Sequence, residues 1–184
     1  MSGTGGFRHL GDDEVAQLDR LRVVRGQFAA PDGSTFARDV IRNLAVVAVV
    51  PVLDDGRSVL LVRQYRGPIH QLLLEIPAGL CDVEGEPLLA TAARELVEEV
   101  GRTADHYQQI ASFYPGAGFS DQHVTMFLAT GLTEVPHDRQ GPEEEHMTIE
   151  TVALDDVPAL IASGELTDGK TIIGLLLARE LLDG

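Results

Sequence analysis

The sequence has one cysteine (Cys81), one lysine (Lys170) and no tryptophan in 184 residues. A single cysteine allows no disulfide within the chain, and it disfavours a zinc cluster, which usually draws on several cysteines and histidines. No apolar run approaches the roughly 18–20 residues of a membrane-spanning helix. The N-terminus also lacks the apolar segment of a signal peptide. We therefore expect a cytoplasmic protein with no membrane partner.

Positive charge is scarce as well, since the formal net charge is −15. No basic stripe is visible, and this argues against binding of a nucleic acid polymer. A small anionic substrate is still compatible with the charge, but it would require a divalent metal and a few placed arginines. All basic residues except Lys170 are arginines. That bias has two explanations, phosphate binding by guanidinium groups or genomic base composition, and the sequence leaves both open.

The order of predicted elements indicates an α+β fold. Residues 1–12 are rich in glycine and small polar residues and predict a disordered arm. Residues 13–43 predict a β-hairpin region that turns at Pro31-Asp32-Gly33, and residues 44–184 predict the main domain. Within that domain, the apolar run 45–53 predicts a buried strand, with residues 58–66 as its partner strand. Mixed strands with two or three helices predict an α/β/α sandwich with a mixed sheet, plus the N-terminal β-hairpin.

The most informative stretch is residues 79–101, GLCDVEGEPLLATAARELVEEVG. We expect a helix from Pro87, which suits the first helical position, to Val100, because Gly101 is a typical stop. Apolar residues at helical spacing predict the buried face: Leu89, Ala93, Leu96, Val97 and Val100.

Glu98 and Glu99 follow Glu95 by three and four positions. The three glutamates are therefore expected to share one face of this helix, next to its buried face. Like charges at that spacing repel each other by a few tenths of a kcal/mol per pair. A bound cation would remove this repulsion. The alternative is a solvated helix face that carries only salt bridges.

This stretch resembles the Nudix box, the signature of hydrolases that cleave a nucleoside diphosphate linked to another group. Glu86, Arg94-Glu95, Glu98-Glu99 and Gly101 stand in the register of that signature. Two positions depart from it: Gly79 lies one residue too far from Glu86, and Arg102 replaces an apolar residue. The extra residue falls in a loop, where an insertion costs little. The main domain is therefore predicted to be a Nudix hydrolase domain.

The resemblance implies a role for each matched residue. It implies that Mg²⁺, with Mn²⁺ as a possible substitute, is held by Glu95 and Glu99 with help from Glu98 and from the carbonyl group of Ala78. Such metal ions neutralise phosphate oxygens and activate a water molecule. Arg94 is expected to pair with a carboxylate and set its orientation.

The flanking segments 63–66, 74–79 and 115–120 resemble the ADP-ribose pyrophosphatase branch of the family, and the similarity spans roughly residues 20–180. In this branch, the arginine matching Arg66 contacts the substrate phosphates, and the glutamate matching Glu75 helps order the water around the metal. The glycine-rich segment 115–121 is predicted to be a binding loop. Its Phe119 and Ser120 are candidate substrate contacts.

The catalytic base in this branch comes from an acidic loop after the box. The matching residues here are Glu143, Glu144 and Glu145, of which Glu144 is favoured; the alternative is a flexible solvated loop. The branch also forms homodimers, in which the N-terminal hairpin of one chain helps bind adenine in the other. Phe36 and Arg42 are the candidates for this contact, although a phenylalanine such as Phe36 is more often simply a core residue.

A second motif, the phosphate-loop pattern, is rejected because the elements around it do not fit. Residues 164–171, GELTDGKT, satisfy the phosphate-loop pattern G-x-x-x-x-G-K-[ST], but they follow a helix-like segment instead of a buried strand. We therefore interpret Thr167 or Asp168 as the N-cap of a final helix. Cys81 is expected to pack near the site, and His123 is expected to be structural or to touch substrate.

These observations predict a Mg²⁺-dependent, homodimeric hydrolase that converts ADP-ribose to AMP and ribose 5-phosphate. Other nucleotide sugars or dinucleotides, such as GDP-mannose, ADP-glucose or NADH, remain alternative substrates. A protein of a different class, a sensor with the same fold that binds ADP-ribose without turnover, is disfavoured because the glutamates are present.

Overall fold

A computed structural model describes residues 4–136 and 145–183, which fall into two units. The first unit comprises Met1–Ala45 and Tyr114–His123, and the second comprises Val46–Phe113 and Val124–Gly184.

The first unit contains an antiparallel three-stranded sheet in the order β1-β2-β3. Its strands are β1 (Arg8–Gln17), β2 (Leu21–Ala29) and β3 (Thr35–Asn43). The predicted hairpin is formed by β2 and β3, which pair from Leu21 opposite Asn43 to Ala29 opposite Thr35. In the turn between them, the Asp32 carboxylate accepts hydrogen bonds from the Ser34 N–H (2.9 Å) and hydroxyl (2.6 Å).

Strand β1 corrects the interpretation of residues 1–12 as a disordered arm. It begins at Arg8, opposite Ala29 of β2, and so includes the last residues of that segment. The segment has little apolar alternation because its pairing rests on backbone hydrogen bonds and on polar side chains such as Asp12, which is hydrogen-bonded to Arg42 of β3.

The second unit contains two sheets and the helices. Its strands and helices are β4 (Val46–Pro51), β5 (Ser58–Arg66), β6 (Gln71–Glu75), β7 (Ala78–Leu80), α1 (Leu88–Val100), β8 (Arg102–Phe113), β9 (Val124–Glu134), β10 (Thr148–Ala153), α2 (Val157–Ser163) and α3 (Gly169–Asp183). Short 3₁₀ turns occupy Gly67–Ile69 and Leu154–Asp156.

In both sheets of this unit, some strands that lie side by side are far apart in the sequence. The four-stranded sheet has the order β7-β4-β9-β8, in which β4 runs parallel to β9 and antiparallel to β7. The three-stranded sheet has the order β10-β5-β6. The expected pairing of β4 with β5 was wrong, apart from one isolated bridge between Val52 and Val59. The reason is that β7 and β9 occupy both edges of β4, so β5 pairs elsewhere.

Strand β4 lies in the middle of the α/β/α arrangement, which explains its continuous apolar sequence. Val47 and Val49 are fully buried in a cluster that includes Leu96 of α1. The alternate residues Ala48 and Val50 are buried in a second cluster, which includes α3. Because successive side chains of a strand point to opposite faces, a strand covered by helices on both faces has no polar alternation.

Helix α3 approaches the sheet closely at Gly174. A Cβ atom at this position would lie 2.9 Å from both Met126 Sδ and Val50 Cγ2.

Among the residues that the structure describes, no helix has the length and apolar character needed to cross a membrane.

Candidate active site

Helix α1 is bounded by the residues that the sequence indicated, with a shift of one position at its start. Pro87 is the N-cap, in an extended conformation, and the helix runs from Leu88 to Val100. Gly101 has a left-handed conformation (φ 62°), and its N–H bonds to the carbonyl groups of Leu96 and Val97. Such a cap favours glycine because a Cβ atom is costly at this φ.

The glutamates of α1 are more deeply placed than expected. Glu95 and Glu99 are only 7% and 4% exposed, whereas Leu89, which was assigned to the buried face, is 47% exposed. The reason is the neighbouring strand: α1 contacts β7, whose residues Ala78 and Gly79 are small and leave room for the carboxylates. The two carboxylates therefore share the inner face of the helix with Ala92, Leu96 and Val100.

The carboxylates of Glu95 and Glu99 converge on the backbone of β7. The Glu99 carboxylate accepts a hydrogen bond from the Ala78 N–H (3.2 Å). The Glu95 carboxylate lies directly over Gly79, where a Cβ atom would overlap all three atoms of the carboxylate group. The close approach of the Glu95 carboxylate thus requires a glycine at position 79. This contact explains the glycine of the Pro77-Ala78-Gly79 sequence before the helix.

Arg94 is hydrogen-bonded to three carboxylates of the motif. Its Nη1 donates to Glu95 (2.8 Å) and Glu98 (3.2 Å), and its Nη2 donates to Glu86 (3.3 Å). Burial alone would lower the pKa of Arg94, but the hydrogen bond to Glu86 and the charges of Glu95 and Glu98 outweigh burial and raise it. The hydroxyl of Thr91 and Arg94 together lower the pKa of Glu86. Arg94 is therefore a permanent cation that holds three carboxylates of the motif.

The donor set at this position suits a hard divalent cation. Buried carboxylate oxygens and backbone carbonyls are the ligands that such ions prefer. One guanidinium carries a single charge and contacts three carboxylates, so it does not neutralise them by itself. In residues 4–136 and 145–183, no three His, Cys, Asp or Glu side chains are already grouped around a common metal position. Glu95 and Glu98 instead share Arg94, and a metal would be held after their carboxylates turn from it.

Arg66 and Glu75 form the second part of the candidate site. Arg66, at the end of β5, donates from Nε to Glu75 Oε1 (2.6 Å) and from Nη2 to Glu75 Oε2 (2.8 Å). Glu75 is 1% exposed, while the side chain of Arg66 is 40% exposed. The buried glutamate thus orients a guanidinium that is open to solvent. A bidentate pair of this kind fixes direction as well as distance.

Sequence reasoning missed the other partner of Glu75, which is Lys170. Its ammonium group contacts Glu75 Oε2 and donates to Asp168 Oδ2 (2.9 Å). Asp168 also accepts hydrogen bonds from the Thr171 N–H and hydroxyl (2.9 and 2.6 Å), and so it is the N-cap of α3, as one of the two predicted candidates. The lysine was recognisable only as the single lysine of the chain and as part of the rejected phosphate-loop pattern. That pattern indeed follows helix α2 instead of a strand, and it runs into the first turn of α3.

The acidic loop is only partly within the structure. Glu143 and Glu144 lie outside the described residues. Glu145 is exposed, and Met147, two residues later, is 3% exposed in the same apolar cluster as Leu96 of α1. The end of this loop is therefore packed in the second unit together with α1.

Arg42 and Ser120 lie in the first unit, in the network that holds the loop 114–123 against β3. Arg42 donates to Asp12 (3.0 Å from both Nε and Nη2) and to Asp121 (3.2 Å). Its hydrogen bonds lower the pKa of Asp12 to about 2. Ser120, 9% exposed, accepts a hydrogen bond from the Asn43 side chain (3.2 Å). Both candidate substrate contacts thus have structural partners within this unit.

The two candidate phenylalanines differ in exposure. Phe119 is 59% exposed, and its ring lies over Gly116, where a Cβ atom would be 2.8 Å from the ring. Phe36 is half-buried, stacks on Phe28 with ring centroids 5.4 Å apart, and has the Arg38 guanidinium 4.9 Å above its ring. These contacts favour a packing role for Phe36, whereas the loop presents the Phe119 ring to solvent.

Two single residues have packing contacts. His123 lies edge-on to Tyr114, with ring centroids 4.9 Å apart, in the first unit. Cys81 is half-buried against the cluster that contains Leu96, and burial raises the pKa of its thiol. A raised pKa leaves little thiolate, which disfavours Cys81 as a nucleophile.

Comparison with known proteins defines the class. The NUDIX domain model matches residues 42–172, which include α1, Arg66, Glu75 and Lys170. The chain therefore belongs to the NUDIX family and is a Nudix hydrolase. Members of this family generally need a divalent metal.

Curated relatives and one solved structure agree with this assignment. The chain is 38% identical over 160 residues to the ADP-ribose pyrophosphatase of Mycobacterium tuberculosis, covering 87% of this chain and 77% of the relative. It is also 38% identical over 141 residues to the ADP-ribose pyrophosphatase of Bacillus subtilis, covering 77% and 75%. A crystal structure described as an ADP compounds hydrolase superposes with a TM-score of 0.85 at 23% identity, over 100% of this chain and 98% of that one. The last comparison shows the fold alone, and it confirms the predicted Nudix-type α+β fold.

Proposed function

We propose that this protein hydrolyses the pyrophosphate bond of ADP-ribose to AMP and ribose 5-phosphate with Mg²⁺. The observation that carries the proposal is the convergence of the buried Glu95 and Glu99 carboxylates on the Ala78-Gly79 backbone. The similarity to two ADP-ribose pyrophosphatases over most of the chain supports this choice of substrate.

The candidate-site residues on helix α1 and strand β7 each have a role in this reaction. Glu95, Glu98 and Glu99, with the Ala78 carbonyl, would hold the divalent metal, which neutralises phosphate oxygens and activates water when bound. Before the metal binds, Arg94 holds the Glu95 and Glu98 carboxylates beside each other through its hydrogen bonds.

Outside α1, Arg66 binds the diphosphate, in the orientation that Glu75 imposes. Water adds to one phosphorus as the bridging P–O bond breaks, and a carboxylate of the acidic loop takes the proton of the water. We assign this base to Glu144, with Glu143 and Glu145 as alternatives. Attack at either phosphorus yields the same two products.

The candidates for contact with the nucleoside end of the substrate are Phe119, Ser120, Arg42 and Phe36. Exposed Phe119 offers a face on which adenine stacks, and Ser120 and Arg42 hold its loop. Phe36 is the weaker candidate because it already stacks on Phe28.

A substrate screen tests the proposed function. Full-length protein is assayed with Mg²⁺ against ADP-ribose, ADP-glucose, GDP-mannose and NADH, and kcat/KM is measured for each compound. We expect ADP-ribose to exceed the others by at least about 10-fold, because a matched set of polar contacts discriminates strongly between related substrates. EDTA should abolish activity, and Mg²⁺ or Mn²⁺ should restore it.

Each other result of the screen rejects a defined part of the proposal. Faster cleavage of another compound overturns the choice of ADP-ribose and keeps the hydrolase. Binding of ADP-ribose without release of AMP would establish the sensor instead. Activity that persists in EDTA would exclude the proposed metal.

We further propose that the protein is a homodimer that associates through its first unit. In segment 7–18 of this unit, four large apolar side chains are about half exposed or more: Phe7 (48%), Leu10 (51%), Val15 (64%) and Leu18 (54%). Exposed apolar side chains concentrated in one segment are typical of an interaction surface.

Light scattering at micromolar concentration is expected to give twice the chain mass of 19.8 kDa. The double substitution Val15→Asp with Leu18→Asp should shift the protein toward the monomer, since each charge would be buried without a partner. A monomeric wild-type protein would contradict the proposal. The cytoplasmic location expected from the sequence stays a prediction.

A further inference from the structure

Lys170 lies at the meeting point of strand β6 and helix α3. Its ammonium group contacts both Glu75, the last residue of β6, and Asp168, the N-cap of α3. The Thr171 hydroxyl joins the same elements, because it accepts from the Ile76 N–H (2.9 Å) and donates to Asp168 (2.6 Å).

The side chains of this cluster are strongly buried. Glu75 and Thr171 are 1% and 0% exposed, and the Lys170 side chain is 14% exposed. A buried ion keeps its charge only if opposite charges and hydrogen bonds replace the water that it loses. Glu75 has two such partners, Lys170 on one side and Arg66 on the other.

The charges of the cluster balance only when Lys170 is present. Arg66 and Lys170 contribute two positive charges, and Glu75 and Asp168 contribute two negative charges. Without the lysine, Arg66 alone would face both carboxylates at this buried position. The hydrogen bonds to Glu75 raise the pKa of Arg66, and the charges of Glu99 and Asp168 add to this effect. Arg66 therefore lies within electrostatic reach of α1 as well as of the Lys170 cluster.

We propose that Lys170 is a positioning residue for the diphosphate site: it holds and neutralises Glu75, so that Glu75 orients Arg66 without cancelling its charge. This inference rests on the proposed role of Arg66 in binding the substrate phosphates. Lys170 itself need not touch the substrate. Its effect reaches the substrate through the shared Glu75 carboxylate, which both cations contact.

The test compares Lys170→Met, Glu75→Gln and the double variant with wild type. Lys170→Met is expected to raise KM by about 10-fold or more with a smaller change in kcat, because outer partners of a site typically contribute 10–100-fold and phosphate binding is shared by ground and transition states. The double variant should have a KM no higher than that of Glu75→Gln alone, since the lysine acts through the glutamate. Lys170→Arg, which keeps the charge, should recover most of the wild-type KM.

A matched control removes one positive charge from the same helix. Arg179→Met, on α3, loses only a long contact of 4.0 Å to Asp155, and its KM should stay within about twofold of wild type, as expected for a surface charge. Additive effects of Lys170→Met and Glu75→Gln, or an unchanged KM in Lys170→Met, would overturn the inference. A loss confined to thermal stability would do so as well.

The test separates this inference from the proposed function. Turnover of ADP-ribose by wild type is measured first, and the ratios among variants then use whichever diphosphate compound is cleaved best. If no compound is cleaved, the dissociation constant of ADP-ribose, measured by calorimetry, replaces KM in the same comparison. If Lys170→Met does not fold, Lys170→Arg and Lys170→Gln, which retain a polar group, supply the comparison.

Discussion

Replacement of Glu99 by glutamine is expected to lower kcat for ADP-ribose by about 10³-fold, the scale typical of losing one preorganised electrostatic contact at a reacting centre. Glutamine has nearly the same volume and keeps an oxygen that accepts the hydrogen bond of the Ala78 N–H. What it loses is the negative charge that would hold the divalent cation. The fold should survive, so the melting temperature should stay close to that of wild type. Steady-state kinetics with a Mg²⁺ titration and a thermal melt measure both quantities.

The matched control for this experiment is Glu180→Gln. Glu180 is an exposed glutamate of α3, and its replacement removes the same charge from a helix surface. Its activity should equal that of wild type. Near-wild-type turnover by Glu99→Gln at all Mg²⁺ concentrations would show that the Glu99 carboxylate is not needed for the metal.

Replacement of Gly79 by alanine is expected to lower kcat/KM by about 100-fold, because a displacement of about 1 Å at a reacting group costs this much. The new methyl group would occupy the space of the Glu95 carboxylate. That carboxylate is the mobile end of a long side chain, so it should move away and change its hydrogen bond to Arg94. The backbone of Gly79 lies in strand β7, which alanine accepts without strain. The loss of activity should therefore occur with a change in stability within about 1 kcal/mol.

The control for the Gly79 variant is Gly67→Ala. A Cβ atom at Gly67 would meet no atom within 4 Å, so activity and stability should both be retained. Full activity in Gly79→Ala would contradict the assignment of Glu95 to the reacting arrangement. Unfolding at room temperature would instead show that the contact between α1 and β7 tolerates no added atom.

The local features of α1 were predictable from the sequence. The start near Pro87 and the stop at Gly101 follow from backbone conformations that only neighbouring residues determine. The spacing of Glu95, Glu98 and Glu99 placed them on one side of the helix for the same reason. The pairing of Arg94 with Glu98, four positions later, which the structure contains, also requires only helical spacing.

The partners of long-range contacts were not predictable in the same way. Strand β5 was expected beside β4, but β9 pairs with β4 instead, with Val46 opposite Val124 far along the chain. Leu89 was assigned to the buried face, yet Glu95 and Glu99 occupy that face. In both cases the competing partner is distant in sequence, so hydrophobic periodicity carries no information about it.

The sequence by itself determined the family, the helix with its glutamates and the residues that match the motif, because these depend on spacing along one chain segment. Only the tertiary structure decided that Glu75 has two cationic partners and that Glu95 requires a glycine beneath it. Lys170 and Glu75 are 95 residues apart in the sequence. They meet because helix α3 packs against strand β6, which ends at Glu75. Burial then makes their charges interdependent, since water no longer screens them.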